Sequence, residues 1–340
     1  MNMWSEEILD QKLTTPSLNL IKDMKRVEGD IMILGAGGKM GPTLCLLAKK
    51  AIEEAGGRQR VIAVSRFTDP IAMRLLNENG VETISSDLME IGAFDSLPDV
   101  KNVIYMAGRK FGTNGQEALT WAMNAWLPTL VAERYKNSNI VVFSSGNIYP
   151  MMPVYSGGAT EEIPVIPIGE YAMSCLARER IFEYGSQKYN TQMFIYRLNY
   201  AVDLRYGVLY DIASHIMAGE PISVSTPCFN CIWQGDANEI AIRSLLHTGN
   251  PAVKMNITGP ETVSIRYAAE ELGKLLGKNV VFEGEESEKA ILSNASQAIK
   301  TFGYPSVSLK TMIQWQAEWI LLGGRALNKP THFEERKGKY

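Results

Sequence analysis

Four glycines within seven residues are the part of this sequence best suited to chemistry. They are Gly35, Gly37, Gly38 and Gly41, which follow the apolar run 31–34 and precede apolar residues at helical spacing. A strand, a tight turn and a helix in that order aim free N–H groups and the positive end of the helix dipole at the space over the turn. Glycine is required because a side chain would keep a phosphate group away from the backbone. The pattern predicts a nucleotide-phosphate site, with a purely structural turn as the alternative.

The end of the second predicted strand indicates which dinucleotide the site takes. An apolar run at 61–64 leads into Ser65 and Arg66, where a ribose-reading residue is expected. A carboxylate there would accept hydrogen bonds from both ribose hydroxyls and repel a 2′-phosphate, whereas a hydroxyl and a cation attract that phosphate. Ser65 and Arg66 therefore favour NADP over NAD. A solvated loop charge is the alternative interpretation of Arg66.

Strand-like and helix-like segments alternate through the first 200 residues. Apolar and β-branched runs predict strands at 31–34, 61–64, 81–85, 102–106, 140–143 and 192–197. Helical periodicity predicts helices at 42–55, 70–78, 116–135 and 171–184. Strands that alternate with helices of this length form right-handed βαβ units around a parallel sheet. We therefore expect an α/β fold with a Rossmann-type doubly wound parallel sheet, and ligands at the carboxyl ends of its strands.

The alternation breaks down after about residue 200, which predicts a second, smaller unit. Prolines and glycines separate shorter elements there, and helices are expected at 265–276 and 309–322. A chain of 340 residues also exceeds what one hydrophobic core usually fills. The expected division is an N-terminal helical arm at 1–28, a dinucleotide-binding domain at 29–200, a smaller α/β substrate lobe at 201–330 with some segments returning to the first domain, and a tail at 331–340.

Composition limits the partners and the compartment. The net charge is −3, no run of about 18 apolar residues is present, and the first residues lack a basic and apolar leader. Cys228 and Cys231 form a C-x-x-C pair, but no second Cys or His pair stands at zinc-ligand spacing. The pair is therefore interpreted as two free thiols, with a redox or metal site as the alternative, and no metal is expected. We expect a cytoplasmic protein with a small-molecule partner and no nucleic-acid or membrane partner.

With these motifs, the chain resembles the extended short-chain dehydrogenase/reductase family, which holds NAD(P)-dependent epimerases and dehydratases. Gly35, Gly38 and Gly41 fit the G-x-x-G-x-x-G loop of that family, and weaker motifs extend the likeness over residues 29–325. The resemblance implies cofactor contacts from Gly35, Gly37, Gly38, Lys39, Met40, Gly41, Ser65, Arg66, Asp87, Leu88, Ala107 and Gly108.

The same resemblance implies roles for residues at the ends of the later strands. Ser145 follows the fifth strand, where the family keeps a catalytic Ser or Thr that orients the substrate oxygen. Tyr171 opens the helix predicted at 171–184 and stands where the family has its tyrosine acid/base. Lys110, Asn147 and Asn199 follow the fourth, fifth and sixth strands and are assigned to the substrate.

Position 175 departs from the family pattern. The family's Tyr-x-x-x-Lys places a lysine one helical turn after the tyrosine, where its charge lowers the tyrosine pKa and its ammonium group bonds the nicotinamide ribose. Here Cys175 follows Tyr171 at that spacing, and a neutral thiol performs neither task. Three interpretations are open: Cys175 is a small buried side chain, a cation comes from Lys110, Arg109 or Lys39, or Cys175 is a reactive thiolate near the helix start.

Two functions from different classes follow. The first is an NAD(P)-dependent oxidoreductase, epimerase or dehydratase that acts on a sugar, a sugar nucleotide or a sugar-derived acid. Tyr171 would donate and accept the proton, and Ser145 would orient the reacting oxygen. The second is an NADP(H)-binding sensor or partner protein with little or no turnover, because the lysine is missing.

Two further predictions concern the helices at 116–135 and 171–184. The resemblance implies a homodimer in which these helices pair across the dimer axis, and Trp121 and Trp126 on the first of them are interpreted as core or as interface. The charged run 178–180 on the second is interpreted as a solvated helix face.

Overall fold

A seven-stranded parallel sheet forms the centre of the protein, as seen in a computed structural model that describes residues 4–110, 115–329 and 331–338. The strands are β1 (Ile31–Leu34), β2 (Val61–Ser65), β3 (Glu82–Ser85), β4 (Asn102–Tyr105), β5 (Asn139–Ser145), β6 (Met193–Leu198) and β7 (Val253–Ile257). They lie in the order β7-β6-β5-β4-β1-β2-β3, so the sheet grows in opposite directions from the β1/β4 pair. This order confirms the doubly wound α/β fold and places the expected ligand crevice between β1 and β4.

Helices cover both faces of the sheet, and others build the C-terminal lobe. They are α1 (Glu6–Thr14), α2 (Leu18–Met24), α3 (Gly41–Glu54), α4 (Pro70–Glu78), α5 (Glu117–Trp121), α6 (Leu127–Arg134), α7 (Gly169–Tyr189), α8 (Val208–Ala218), α9 (Gln234–Arg243), α10 (Ile265–Leu276), α11 (Ser296–Phe302) and α12 (Leu309–Leu321). Alternate residues of β1 lie on opposite faces of the sheet. Ile31 and Ile33 pack with α3 and α9, while Met32 and Leu34 pack with α6. The sheet is therefore buried on both sides.

The helix predicted at 116–135 is interrupted. Between α5 and α6 the backbone forms a π-helical turn at Ala122–Trp126, and Pro128 occupies the first turn of α6. Proline lacks an N–H group, so it cannot continue the ladder of hydrogen bonds through a regular helix interior. The π-turn ends at Trp126, two residues before the proline, and accommodates the interruption of the hydrogen-bond ladder. The prediction of one continuous helix was wrong at this point.

The C-terminal half adds a lobe with its own apolar core. Helices α8, α10 and α12 contribute to this core, and short strands pair around it and beside it. These pairs are Ala201–Val202 with Ile232–Trp233, Ile222–Ser223 with Phe282–Glu283, Cys228–Phe229 with Val263–Ser264, and Met152–Pro153 with Lys289–Ala290. Leu9 and Leu13 of α1 pack into the core of the lobe, whereas Leu20 and Met24 of α2 pack against the sheet. The N-terminal helices therefore join the two cores.

The last described segment, 331–338, lies against the body of the protein. The Thr331 backbone N–H donates to Asp211 at 2.8 Å, and Arg336 donates to the Ser225 carbonyl at 3.0 Å. Gly338 touches Gly169, the first residue of α7. Within the described ranges, no helix combines the length and the apolar character that a membrane crossing needs.

Candidate active site

The glycine loop joins β1 to α3 as a tight turn. Gly35 adopts a left-handed φ of +92°, and a Cβ there would lie 2.6 Å from the Ala107 backbone nitrogen. A Cβ on Gly41 would lie 2.1 Å from the carbonyl oxygen of Ala36. By contrast, a Cβ on Gly38 would meet only the Gly35 carbonyl, at 3.5 Å. Gly35 and Gly41 thus hold the turn together, while Gly38 presents bare backbone to the space over it.

The start of α3 is suited to an anion. Met40 is the N-cap residue and makes no side-chain capping hydrogen bond. The N–H groups of the first turn therefore point at the loop without a side-chain acceptor, and the helix dipole adds a partial positive charge. This is the arrangement that the glycine spacing predicted.

The predicted adenosine-side residues meet at the ends of β2 and β3. Arg66 lies 3.8 Å from the carboxylate of Asp87, and both line a cavity of about 430 Å³. The Ser65 hydroxyl packs against Gly37, where an added Cβ would lie 2.5 Å from its oxygen. Leu88 belongs to the apolar core below β2, so its side chain is structural in this state.

A second cavity, of about 380 Å³, lies between the glycine loop and the C-terminal lobe. It brings together residues that the sequence analysis assigned to the cofactor, the chemistry and the substrate: Gly38, Lys39, Met40, Gly108, Lys110, Ser145, Asn147, Tyr171 and Asn199. They come from the ends of β1, β4, β5 and β6 and from the first turn of α7. Tyr206 and Lys329 also line the cavity. Sequence reasoning missed them because neither stands in a recognisable motif.

Ser145 and Tyr171 form the polar centre of this cavity. The Tyr171 hydroxyl makes hydrogen bonds with the side chains of Ser145 and Cys175. The Ser145 hydroxyl also accepts from the Asn147 backbone N–H at 3.2 Å. Burial raises the pKa of Tyr171 well above its ordinary value, and Cys175 raises it further, while Arg178 and Ser145 lower it. The phenol therefore holds its proton at neutral pH and is a ready hydrogen-bond donor.

Cys175 is fully buried beneath Tyr171. It packs in an apolar cluster with Ile148, Tyr149 and Ala159. Burial raises the pKa of the thiol, although Arg178 and the hydrogen bond from Tyr171 act against this. Of the three sequence interpretations, the buried small side chain agrees with this geometry. The reactive thiolate is wrong, because a thiol in this environment stays protonated.

Two lysines reach the cavity from different loops. Lys39 Nζ lies 3.1 Å from the centroid of the Tyr206 ring, and Lys110 Nζ lies 5.9 Å from the centroids of both Tyr171 and Tyr200. Burial lowers the pKa of Lys39 well below its ordinary value, and the charge of Lys110 lowers it further. Burial also lowers the pKa of Lys110, to about 8. Each ammonium group is held in a poorly solvated site.

The charged run 178–180 is mostly buried, which corrects its interpretation as a solvated face. Arg178 donates to the Phe143 carbonyl at 2.8 Å and to Asn124 Oδ1 at 2.7 Å. Only Arg180 is exposed, where it pairs with a neighbouring glutamate on α7. The helical period explains the difference, because a residue seven positions after Tyr171 lies on the same inward face of α7.

Glu179 anchors a buried network behind the site. It accepts from the Ser144 hydroxyl at 2.6 Å and from Arg197 at 2.8 Å. Arg197 also donates to the Tyr149 hydroxyl at 2.6 Å. Burial alone lowers the pKa of Arg197, but the hydrogen bonds and charge of Glu179 outweigh this and raise that pKa above its ordinary value. The network fixes the end of β5, and with it Ser145.

Asn199 offers a donor that the protein does not use. The side chain is 3% exposed and lines the cavity, and its Nδ2 has no hydrogen-bond partner in the described part of the chain. A buried donor without an acceptor is costly unless a ligand satisfies it. This geometry suits the substrate role that the sequence analysis gave to Asn199.

Other candidate sites are weaker. Cys228 and Cys231 are free thiols, with Cys228 in a two-residue strand. In the ranges that the structure describes, no three His, Cys, Asp or Glu side chains are grouped so that they could hold a metal ion.

Comparison with known proteins agrees with this fold. The family model described as "NAD dependent epimerase/dehydratase family" matches residues 31–207, just over half of the chain. A search of curated proteins found no match. The fold is similar to that of UDP-glucuronic acid 4-epimerase from Bacillus cereus, a mutant of which was solved with a fluorinated UDP-glucuronic acid and NAD. The TM-score is 0.71 and the identity is 18%, and the match covers 86% of this chain and 99% of that chain. It is also similar to the Bordetella bronchiseptica enzyme WbmG, solved with NAD and UDP, with a TM-score of 0.69, 19% identity, and 89% and 100% covered.

Proposed function

The chain belongs to the NAD-dependent epimerase/dehydratase family, and on this premise we propose that it is an enzyme that interconverts a hydroxyl and a carbonyl group on a sugar nucleotide. The observation that carries this proposal is the hydrogen-bonded pair of Ser145 and Tyr171, which faces a cavity bordered by the glycine loop. An acid and an orienting hydroxyl beside a dinucleotide loop are the groups that such chemistry needs.

The chain fits a nicotinamide dinucleotide in several places. Gly38 leaves bare backbone beside the uncapped start of α3, which suits a diphosphate. Gly108, at the carboxyl end of β4, opens onto the cavity with Tyr171. The adenosine end would lie between Arg66 and Asp87. When bound, the cofactor supplies a reversible hydride acceptor.

The preferred form of the cofactor is part of the proposal. Ser65 and Arg66 predicted NADP, whereas both similar structures named above were solved with NAD. Arg66 faces the Asp87 carboxylate at 3.8 Å, so part of its charge already has an acidic neighbour. We therefore propose NAD as the working cofactor. Titration with NAD and NADP side by side tests this choice.

Each polar residue then has a definite task. The Ser145 hydroxyl would hold the reacting oxygen of the sugar, and Tyr171 would donate to the same oxygen or accept from it. The unused Nδ2 of Asn199 would donate to the sugar. Tyr149, Glu179 and their partners would hold the end of β5 rigid without touching the substrate.

The charge of the cavity supports an anionic substrate. Among the described residues that line it, Lys39, Lys110 and Lys329 are basic and none is acidic. A sugar nucleotide carries a diphosphate, and its sugar can carry a carboxylate. The B. cereus enzyme was solved with such a substrate. We propose a nucleoside-diphosphate sugar, with acidic sugars to be tried first.

The proposed assay follows product formation, because an epimerase shows no net change in nicotinamide absorbance. The protein with NAD is incubated with neutral and acidic UDP-sugars, and products are separated by anion-exchange chromatography. Tyr171→Phe should abolish conversion while NAD binding persists. Tyr184→Phe is the matched control, since Tyr184 lies on the same helix and is 63% exposed. NAD binding without conversion of any sugar would instead support the cofactor-binding sensor.

Two earlier expectations remain proposals, the homodimer and the cytoplasmic location. The surface of α5–α7 exposes Trp121, Trp126, Met173 and Tyr184, which argues against core packing of the two tryptophans and fits an interface. Light scattering on the purified protein tests the dimer, and a Trp126→Lys variant should then be monomeric.

A further inference from the structure

Tyr171, which the proposed function uses for proton transfer, does not titrate near neutral pH. Tyr171 is buried, and its pKa lies well above the ordinary value of a phenol. A base works best when its pKa is close to the working pH, so Tyr171 alone is a poor proton acceptor. Cys175 stands where the family has its lysine, and its free thiol supplies no positive charge.

We propose that Lys110 is the proton-accepting residue of this site, with Tyr171 passing the proton between the substrate hydroxyl and the Lys110 amine. This inference rests on the proposed function, because it deepens the chemistry of the same cavity.

Lys110 lies in the same cavity as the two hydroxyl residues. Lys110 follows the end of β4, and it lines the cavity together with Ser145, Tyr171 and Asn199. Its Nζ lies over the Tyr171 ring, 5.9 Å from the ring centre, and we infer that the phenol proton passes to it directly or through one water molecule. It also lies close enough to influence the Cys175 thiol electrostatically. The amine therefore lies in the same cavity as Tyr171 and over its ring.

The Lys110 amine exchanges its proton in the pH range that a base needs. Burial lowers the pKa of Lys110 to about 8, so the amine gains and loses a proton close to neutral pH. Because Lys110 loses its charge before Tyr171 loses its proton, it is unsuited to the role of a fixed cation. The Lys110 amine is instead suited to the role of a base.

Arg178 provides the fixed charge that this arrangement needs. It lies on α7 beyond Cys175 and lowers the pKa of Tyr171. Its guanidinium lies directly under Gly108, where an added Cβ would meet it at 2.4 Å. Hydrogen bonds to Phe143 and Asn124 hold it in place. A transient phenolate at Tyr171 would be stabilised from below by Arg178 while Lys110 takes the proton.

As the substrate O–H bond breaks, its proton bonds to the Tyr171 oxygen, and the original phenol proton moves to Lys110 Nζ. A nicotinamide dinucleotide held at Gly38 and the start of α3 would supply the acceptor for the hydride, with its electron pair, that leaves the carbon bearing this oxygen, so that the carbonyl would form. In the reverse half-reaction the Lys110 ammonium returns the proton through Tyr171.

The test compares Lys110→Arg with Lys110→Met. Arginine keeps the positive charge but does not give up a proton in this pH range, so it separates a base from a cation. We expect both variants to lose roughly 100-fold or more in kcat, as removal of a general base does. In the wild type, kcat/KM should rise as the pH increases through about 8. Lys274→Met is the matched control, because Lys274 is an exposed lysine of α10 that does not line the cavity.

Two further measurements distinguish the proposal from a folding defect, and the second is also independent of the proposed function. Lys110→Ala should regain activity when a small primary amine is added. Without cofactor or substrate, the unfolding temperature of the wild type should rise relative to that of Lys110→Met as the pH passes 8, because the half-buried ammonium loses its charge.

Three outcomes overturn the proposal. An active Lys110→Arg would make Lys110 a cation only, and an active Lys110→Met would remove it from the chemistry. Unfolding temperatures with the same pH dependence in wild type and Lys110→Met would show that Lys110 does not titrate near 8. If the wild type itself converts no sugar nucleotide, the proposed function fails, and the unfolding measurement still decides whether Lys110 titrates there.

Discussion

Replacing Arg197 with Met should strongly destabilise the protein, because it leaves the buried carboxylate of Glu179 without its cation. Glu179 is fully buried and Arg197 is 2% exposed. Arg197 donates to the two oxygens of Glu179 at 3.1 and 2.8 Å, and to the Tyr149 hydroxyl at 2.6 Å. After the substitution, Glu179 would keep the hydrogen bond from the Ser144 hydroxyl at 2.6 Å and lose those from Arg197.

The magnitude follows from the burial. Removing one partner of a buried ion pair costs about 3–5 kcal/mol, because the remaining charge is uncompensated. Loss of the hydrogen bond to Tyr149 adds about 1 kcal/mol. The expected loss of about 4–6 kcal/mol is a large part of the ~5–15 kcal/mol by which proteins are usually stable.

Urea unfolding measures this loss, followed by tryptophan fluorescence and by far-ultraviolet circular dichroism. The two transitions must coincide before a free energy of unfolding is extracted. Arg180→Met is the matched control, since Arg180 lies beside Glu179 on α7 but forms an exposed pair with Glu183 at 2.7 Å. Such a pair contributes about 0.5 kcal/mol or less.

A double variant, Arg197→Met with Glu179→Met, separates the buried charge from simple loss of packing. Replacing both partners with apolar side chains removes the uncompensated carboxylate, so most of the lost stability should return. The reasoning is refuted if Arg197→Met costs less than about 1 kcal/mol, or if the double variant is less stable than Arg197→Met alone.

Three further predictions concern the cofactor and the cavity. Gly38→Ala should leave the unfolding temperature unchanged and weaken NAD binding by about tenfold or more. Gly41→Ala should instead lower the unfolding temperature, because its Cβ would lie 2.1 Å from the Ala36 carbonyl oxygen. Calorimetry measures the unfolding temperatures, and fluorescence titration measures NAD binding. The pKa of Lys110 is lowered from 10.5 to about 8 in the folded chain, so the unfolded chain binds more protons between these pH values. The free energy of unfolding of the wild type, relative to that of Lys110→Met, should therefore rise across that window by up to ~3 kcal/mol. Urea titrations at several pH values measure this rise. Arg66→Ala should weaken binding of NADP more than that of NAD, and an equal effect on both would show that Arg66 does not read a 2′-phosphate.

Local patterns made most of the fold predictable. The β-branched run before Gly35 predicted β1 with its observed bounds, and the helices at 70–78 and 265–276 agree with α4 and α10. These elements end at Gly, Pro or polar caps, which act through the nearest residues. The π-turn before Pro128 was missed, because helical periodicity gives no sign of an extra residue in one turn.

The site was predictable only where a residue stands in a motif. Ser145 and Tyr171 were found through the spacing of their family, and the structure brings them together. Glu179 was misread because a carboxylate is usually exposed, and its partner Arg197 comes from a strand that is distant in sequence. Tyr206 reaches the cavity from the C-terminal lobe, a long-range contact that no local pattern encodes.

The most direct test of the proposed function is a single-turnover measurement of nicotinamide absorbance. The protein loaded with NAD is mixed rapidly with UDP-glucuronic acid, and the absorbance of reduced nicotinamide is followed over time. We predict a transient rise in the wild type and in Tyr184→Phe, and none in Tyr171→Phe, which still binds NAD. No rise in the wild type with this or any other UDP-sugar, or an equal rise in Tyr171→Phe, would contradict the account.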